Sequence, residues 1–305
     1  MTSSSPEPPP PGAPTLCLGD PIVEFTCERP VAGVSEGDAF VPRFGGAVAN
    51  VAVIAARRGA HVALAGGAGD DAWGSWLRER LGREGVDTEW FDLVPGAQTP
   101  VAIVTVDVDG EVNRDVYGER VGTALGGDRV QDAVRRSAAL YITSGGPEEN
   151  EVTMRAREHA LLLERPVVFA PEIGVERWRS RAEAAAAANA CVPDALLVRA
   201  TEGDAALMTG EDDPERAAVA LLKAGARMVV ITFGLDGAIL RGELRLDVDG
   251  VPTTVVSAAG AGEVLTGVLL ARLAGTAFYP AAVAASLPEA VAESARASER
   301  WGVLE

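Results

Sequence analysis

Basic side chains other than arginine are nearly missing from this 305-residue chain: Lys223 is its single lysine, and His61 and His159 are its only histidines. That lysine is not preceded by glycine, so no G-x-x-x-x-G-K-[ST] phosphate loop can be written. Two isolated histidines and three cysteines (Cys17, Cys27, Cys191) without a C-x-x-C leave no H-E-x-x-H and no Cys/His zinc cluster. A Schiff-base enzyme would have to use Lys223, which lies inside the helix-period stretch AAVALLKAGA. Each histidine reads as an ordinary surface or satisfied residue rather than a catalytic base.

Long apolar runs are missing as well. None approaches the roughly 18 residues of a membrane span, and no basic segment followed by an apolar one opens the chain. Three unpaired cysteines in a chain of this length read as small buried hydrophobes in a reducing compartment. The expectation is a soluble, cytoplasmic protein. Twenty-seven Lys and Arg against 44 Asp and Glu give a net charge of −17. A field of that sign repels nucleic-acid phosphate and anionic membranes, so neither is expected as a partner. A local anion site remains open, because backbone N–H groups hold phosphate whatever the net charge.

Hydrophobic residues make up 48% of the chain, enough to fill a large core. By length alone, two domains or one large α/β domain fit equally well. Met1–Pro14 is a Ser/Pro/Gly tail with little to bury, expected to be disordered, with one folded domain over 15–305. Short apolar runs at 61–66, 138–143, 166–170, 195–199 and 227–233 read as buried strands, after a first one at LCLG from Leu16. Helix-period stretches alternate with them at about 47–58, 71–84, 128–137, 150–164, 180–190, 213–224, 261–274 and 280–298. Such alternation predicts a parallel sheet covered by helices on both faces, a Rossmann-like αβα sandwich. Two segments break the rhythm. Residues 21–44 look extended and irregular, and 100–117 alternate with period two around an Asp109–Gly110 turn, a hairpin signal. They predict a small β-sheet lid built from about 21–44 and 97–118, over the sheet edge where open α/β folds bind ligands.

Two glycine-rich loops carry the chemistry. Gly45 and Gly46 precede a helix starting near Ala47, where free N–H groups and Asn50 could converge on a polar ligand. Gly66, Gly69, Asp71 and Gly74 then mark a strand-to-helix turn; taken singly, each of these glycines reads equally well as a tight turn. Near the C-terminus, Gly260-Ala261-Gly262 directly precedes a helical stretch, leaving room for an anion at its exposed N–H groups. Glu263 follows in the first turn. A carboxylate there is commonly a dipole-stabilising residue; it also has the position of a general base beside a transferring phosphoryl group.

GGAVAN, the G-x-x-G-x-D-x-x-G turn, ITFGLDGAIL and GAGE occur in the order and at the spacing of the ribokinase-like (PfkB) carbohydrate kinases, and the chain resembles that family over about residues 16–275. The resemblance implies ATP- and Mg²⁺-dependent phosphoryl transfer to a sugar or nucleoside hydroxyl. Carried onto this chain, Gly260, Ala261 and Gly262 would form the anion hole and Glu263 would be the base. Thr201, Thr232, Gly234 and Gly237 would lie along the nucleotide. Gly45, Gly46 and Asn50 would hold the acceptor, with Glu24 gripping its hydroxyls. Asp204 would help place magnesium through water. Relatives often pair through the lid, so a homodimer is implied too.

The departures from the family pattern fall at the chemistry. The usual D-T-x-G-A-G-D reads Ser257-Ala258-Ala259-Gly260-Ala261-Gly262-Glu263, so the base is Glu in place of Asp and the monovalent-cation site of some relatives is weakened. N-x-x-E becomes Thr201-Glu202-Gly203-Asp204, and D-P-N-x-R becomes Ala170-Pro171-Glu172-Ile173-Gly174. An atypical but active kinase is the leading expectation. The alternative is a catalytically silent or very slow relative that binds a sugar-like ligand or nucleotide in a regulatory role. A dehydrogenase rests only on the αβ alternation, with no G-x-G-x-x-G opening a first βα unit.

Overall fold

The computed structural model describes residues 7–108, 112–118, 127–300 and 304. Its main sheet runs, in spatial order, β13 (Leu246–Asp249), β12 (Gly237–Gly242), β11 (Met228–Thr232), β10 (Leu197–Thr201), β9 (Val167–Phe169), β8 (Ala139–Ile142), β1 (Thr15–Leu18), β4 (Val62–Gly69) and β5 (Phe91–Val94). The pairings from β11 through to β5 are parallel, whereas β12 and β13 add an antiparallel edge.

Strands covered on both faces have no polar side to show, so they read as unbroken apolar runs. In β1 Cys17 packs into one core and Leu16 and Leu18 into the other; in β8 Ala139 and Tyr141 face the first, Leu140 and Ile142 the second. The first core is closed by α1 (Ala47–Arg57), α2 (Ala72–Arg83), α8 (Ala261–Gly275) and α9 (Ala281–Ala297). The second is closed by α3 (Gly127–Arg135), α4 (Pro147–Leu162), α5 (Arg181–Ala190), α6 (Glu202–Thr209) and α7 (Pro214–Lys223). The expected αβα sandwich is thus the observed one.

Helix starts follow their caps. Helix α4 begins three residues before the periodicity indicates because Pro147 opens it and Glu149 reaches back to the Gly146 N–H at 2.7 Å. Helix α6 went unread: it is only eight residues long, started by Thr201, whose hydroxyl accepts from the Asp204 N–H (3.0 Å), and stopped by left-handed Gly210. Asp71 caps α2 by accepting from the Gly74 N–H at 2.8 Å. Its second oxygen accepts from the Thr99 N–H at 2.8 Å, which ties α2 to the loop entering the second sheet.

That second sheet has four strands, in the order β3 (Phe40–Gly45), β2 (Ile22–Cys27), β6 (Val101–Val106) and β7 (Val112–Tyr117). The segment that reads as irregular is therefore an antiparallel pair, β2 with β3, and β6 runs parallel to β2. The Asp109–Gly110 turn lies outside the described residues, although β6 and β7 pair antiparallel as a hairpin there requires. Of the N-terminal tail, Glu7 accepts from Arg165 through its carbonyl (2.8 Å) and the Gly12 carbonyl lies 2.7 Å from His61 Nδ1. The three cysteines are buried and unbridged. Among the described residues no helix is long and apolar enough to cross a membrane.

Candidate active site

The parallel strands end on one edge of the main sheet, and two helices start there in the same unusual way. Gly46 and Gly260, the residues before α1 and α8, have φ of 92° and 81°, and no side chain caps either helix. Only glycine adopts such backbone freely, and a side chain at position 46 would also strike the Asp20 carbonyl. Uncapped amides and the positive pole of a 15-residue helix, α8, thus face the sheet edge, an arrangement that favours an anion.

A cavity of about 330 Å³ opens beside α8. Its lining includes Gly260, Ala261, Gly262 and Glu263 together with Thr201, Thr232, Gly234 and Gly237. The structure thus gathers in one place all the residues read as anion hole, base and nucleotide contacts. Leu235, Val255, Leu265 and Val291 supply an apolar wall.

A second cavity of about 170 Å³ includes Gly46, Asp20, Arg114 and Arg177. Glu263 and Glu172 line both spaces, so they form the partition between them. Other acceptor residues are set apart: Glu24 and Asn50 line a third cavity of about 260 Å³ together with Ser257. Glu24 pairs with Arg114 across the small sheet, and its side chain fills the space a Cβ on Gly45 would need. The Asn50 Oδ1 is buried and meets no donor among the described residues. Asp204 stands behind Thr201. Burial pushes its carboxyl upward, against the Thr201 hydroxyl, Arg199 and the Ile173 N–H, which favour its charge.

Two residues that the sequence reading left without a role prove central. Arg199, on β10, is 3% exposed; its Nη1 donates to Glu172 Oε1 (2.8 Å) and its Nη2 to Thr232 Oγ1 (3.3 Å). A Cβ on Gly262 would lie 2.5 Å from Nη2, so any side chain at this position would displace the guanidinium or the turn. Glu172 has a left-handed backbone (φ 47°), and burial pushes its carboxyl up to about 7, with Arg199 opposing and Glu263 adding to the rise. The available signal was a lone charge inside ALLVRA, a run otherwise apolar throughout.

The residues fit a nucleotide triphosphate. The uncapped α8 amides and a cation supply donors for phosphate, and glycines line the approach. Among the described residues no three Asp, Glu, His or Cys side chains gather as a metal cage. A magnesium ion would therefore be held through phosphate oxygens and water, as this ion commonly is.

The chain matches the pfkB family carbohydrate kinase over residues 16–298. It is 30% identical over 267 residues to fructokinase-1 of Oryza sativa subsp. japonica, covering 85% of this chain and 82% of that protein. It is 29% identical over 219 residues to a nucleoside kinase of Methanothermobacter thermautotrophicus, covering 72% and 68%. The fold of Vibrio cholerae O395 fructokinase, solved with fructose, ADP and calcium ion bound, superposes with a TM-score of 0.80 at 23% identity, covering 96% of this chain and 94% of that one. With a family match that spans nearly every described element from β1 to the end of α9, this chain belongs to the pfkB family of carbohydrate kinases.

Proposed function

We propose that the protein transfers the γ-phosphoryl group of ATP to a hydroxyl of a sugar or nucleoside-like small molecule. One observation carries this reading: Glu263, in the first turn of an uncapped glycine-led helix, is shared by the two cavities that would hold donor and acceptor. ATP with Mg²⁺ supplies the transferable group and screens its charge. Glu263 takes the proton from the acceptor hydroxyl as the hydroxyl oxygen bonds to the γ-phosphorus and the bond from that phosphorus to the bridging oxygen breaks, releasing ADP. The amides of Gly260–Gly262 face the charge that spreads over the phosphoryl oxygens, and preorganised donors of this kind provide most of the acceleration in such transfers. Thr201, Thr232, Gly234 and Gly237 line the nucleotide space. Gly45, Gly46, Asn50 and Glu24 belong to the acceptor side, with Gly46 in the smaller cavity and Glu24 and Asn50 across the Glu24–Arg114 pair.

The active centre is atypical in this reading. The Ser257 hydroxyl accepts from the Ala259 N–H (3.3 Å), so a neutral group stands where a carboxylate would bind a monovalent cation. Asp204 would reach magnesium only through water. Its engagement with Thr201 and Ile173 favours the second reading, a slow or silent protein that binds ligand for regulation. Pairing of two copies through the small sheet belongs to the same proposal: β3 and β7 are its edges, and Val112, Val116 and Tyr117 are exposed. So does a cytoplasmic location.

Incubation with ATP, Mg²⁺ and a panel of sugars and nucleosides tests the proposal. Phosphorylated product from the wild type and a collapse of turnover in Glu263→Gln are expected. Ligand-dependent thermal stabilisation with no product on any acceptor would establish the binding protein instead.

A further inference from the structure

The Arg199 side chain is costly for the fold and unexplained by it. A buried guanidinium on a strand whose neighbours Leu197, Val198 and Ala200 are all buried loses its hydration, and a buried ion pair commonly stabilises no better than apolar residues of equal volume. Its donors are also unspent. Of five N–H groups, Glu172 and Thr232 take one each, and Nε is buried with no partner among the described residues.

Position sharpens the problem. The guanidinium lies against the first turn of α8, close enough that a Cβ at Gly262 would come within 2.5 Å of Nη2 and 2.9 Å of Nη1. A fixed cation and the positive end of a helix then face the same space, where Glu172 pairs with the cation and Glu263 sits in the first turn of the helix. Among the described residues Arg199 is the one cationic side chain lining the larger cavity, where Glu172, Glu202 and Glu263 are the carboxylates. A triphosphate entering such a wall needs a counter-charge supplied by the protein, and the chain's single lysine, Lys223, lies in α7, outside that lining.

We infer that Arg199 is a further catalytic residue: its guanidinium contacts the terminal phosphoryl group of the nucleotide, while Glu172 positions it. The inference rests on the phosphotransferase reading above. A planar guanidinium suits phosphate because two N–H bonds form in parallel, which a lysine cannot reproduce. Glu172 holds Nη1 and leaves the buried Nε without a partner among the described residues.

The experiment measures equilibrium binding of ATP, ADP and AMP, without acceptor, to the wild type, Glu172→Gln, Arg199→Lys, Arg199→Met and the double variant Arg199→Met/Glu172→Gln. The double variant removes both buried charges together, so it remains informative if Arg199→Met alone fails to fold. Expected is a tenfold or greater loss of ATP affinity in the double variant relative to Glu172→Gln, with AMP affinity within twofold and Arg199→Lys intermediate. In the full assay, the double variant should lose at least a hundredfold in kcat relative to Glu172→Gln. Equal losses for ATP and AMP would show a structural role and overturn the inference, as would unchanged ATP affinity. A wild type that binds ATP but phosphorylates nothing ends the kinase reading while the binding series still decides Arg199; one that binds no ATP ends both.

Discussion

Gly262 and Arg199 are neighbours in the wall of the larger cavity: the guanidinium occupies the volume a Cβ at 262 would take, 2.5 Å from Nη2. Gly262→Ala therefore forces one of them to move. A displacement of about 1 Å at a transfer site costs on the order of a hundredfold in rate. The variant should keep its circular-dichroism spectrum and lose turnover by about that factor. Wild-type turnover in Gly262→Ala would show that the contact is slack.

Shortening the base separates the two readings of function. Glu263 lines both cavities from the first turn of α8, and Asp at this position withdraws the carboxylate by about one bond length. In an active enzyme tuned to glutamate, kcat of Glu263→Asp falls by ten- to a hundredfold with ATP affinity unchanged. In a silent relative the same substitution raises product formation above background. Steady-state rates on one accepted substrate decide between them.

Glu172 predicts a pH dependence of stability with a definite sign. Burial raises its carboxyl in the folded chain to about 7, from an ordinary value of 4.5. Between those values the folded state binds more protons than the unfolded state, so this group's contribution to stability declines as pH rises through that window. Melting temperatures from pH 5 to pH 8 should fall more steeply for the wild type than for Glu172→Gln. Parallel curves would remove Glu172 as the source.

Much of the fold was legible because the parallel strands are buried on both faces and read as short unbroken apolar runs between helix-period stretches. The start of α8 was legible too, since Gly260 and Gly262 announce a turn and Glu263 a first-turn acid. Strands β12 and β13 escaped: Gly237–Gly242 sits inside ITFGLDGAIL, where the Leu235–Asp236–Gly237 turn dominates, and β13 spans only four half-exposed residues. Segment 21–44 hid a strand pair because its register is set by cross-strand partners such as Glu24 and Arg43, which no local pattern encodes. The site shows the same limit. Gly260–Glu263, Thr201, Thr232, Gly234 and Gly237 line one cavity and Glu24 and Asn50 another, whereas the Arg199–Glu172 pair joins positions 27 apart through the fold and leaves only a lone charge in an apolar run as its trace.

Asp71 links the core to the acceptor side, and its loss should be felt in both. Its carboxylate accepts from the Gly74 N–H, the Thr99 N–H and the Thr99 hydroxyl (2.7 Å for the last); burial opposes its charge, yet these bonds keep its pKa below the usual range. Asp71→Ala removes a helix cap and strands two donors, for a loss of about 2–4 kcal/mol. At this chain length that corresponds to a drop in Tm of several degrees. The released loop at Thr99 leads directly into β6, next to β7, which carries Arg114 into the smaller cavity. The KM for the acceptor should therefore rise severalfold at a temperature where the variant is folded, with the KM for ATP unchanged, because the cavity proposed for ATP is lined from β10, β11, α8 and α9. Asp71→Asn keeps an acceptor for the Gly74 N–H and should recover part of both losses. A variant with lowered Tm and both KM values intact would confine Asp71 to the stability of α2.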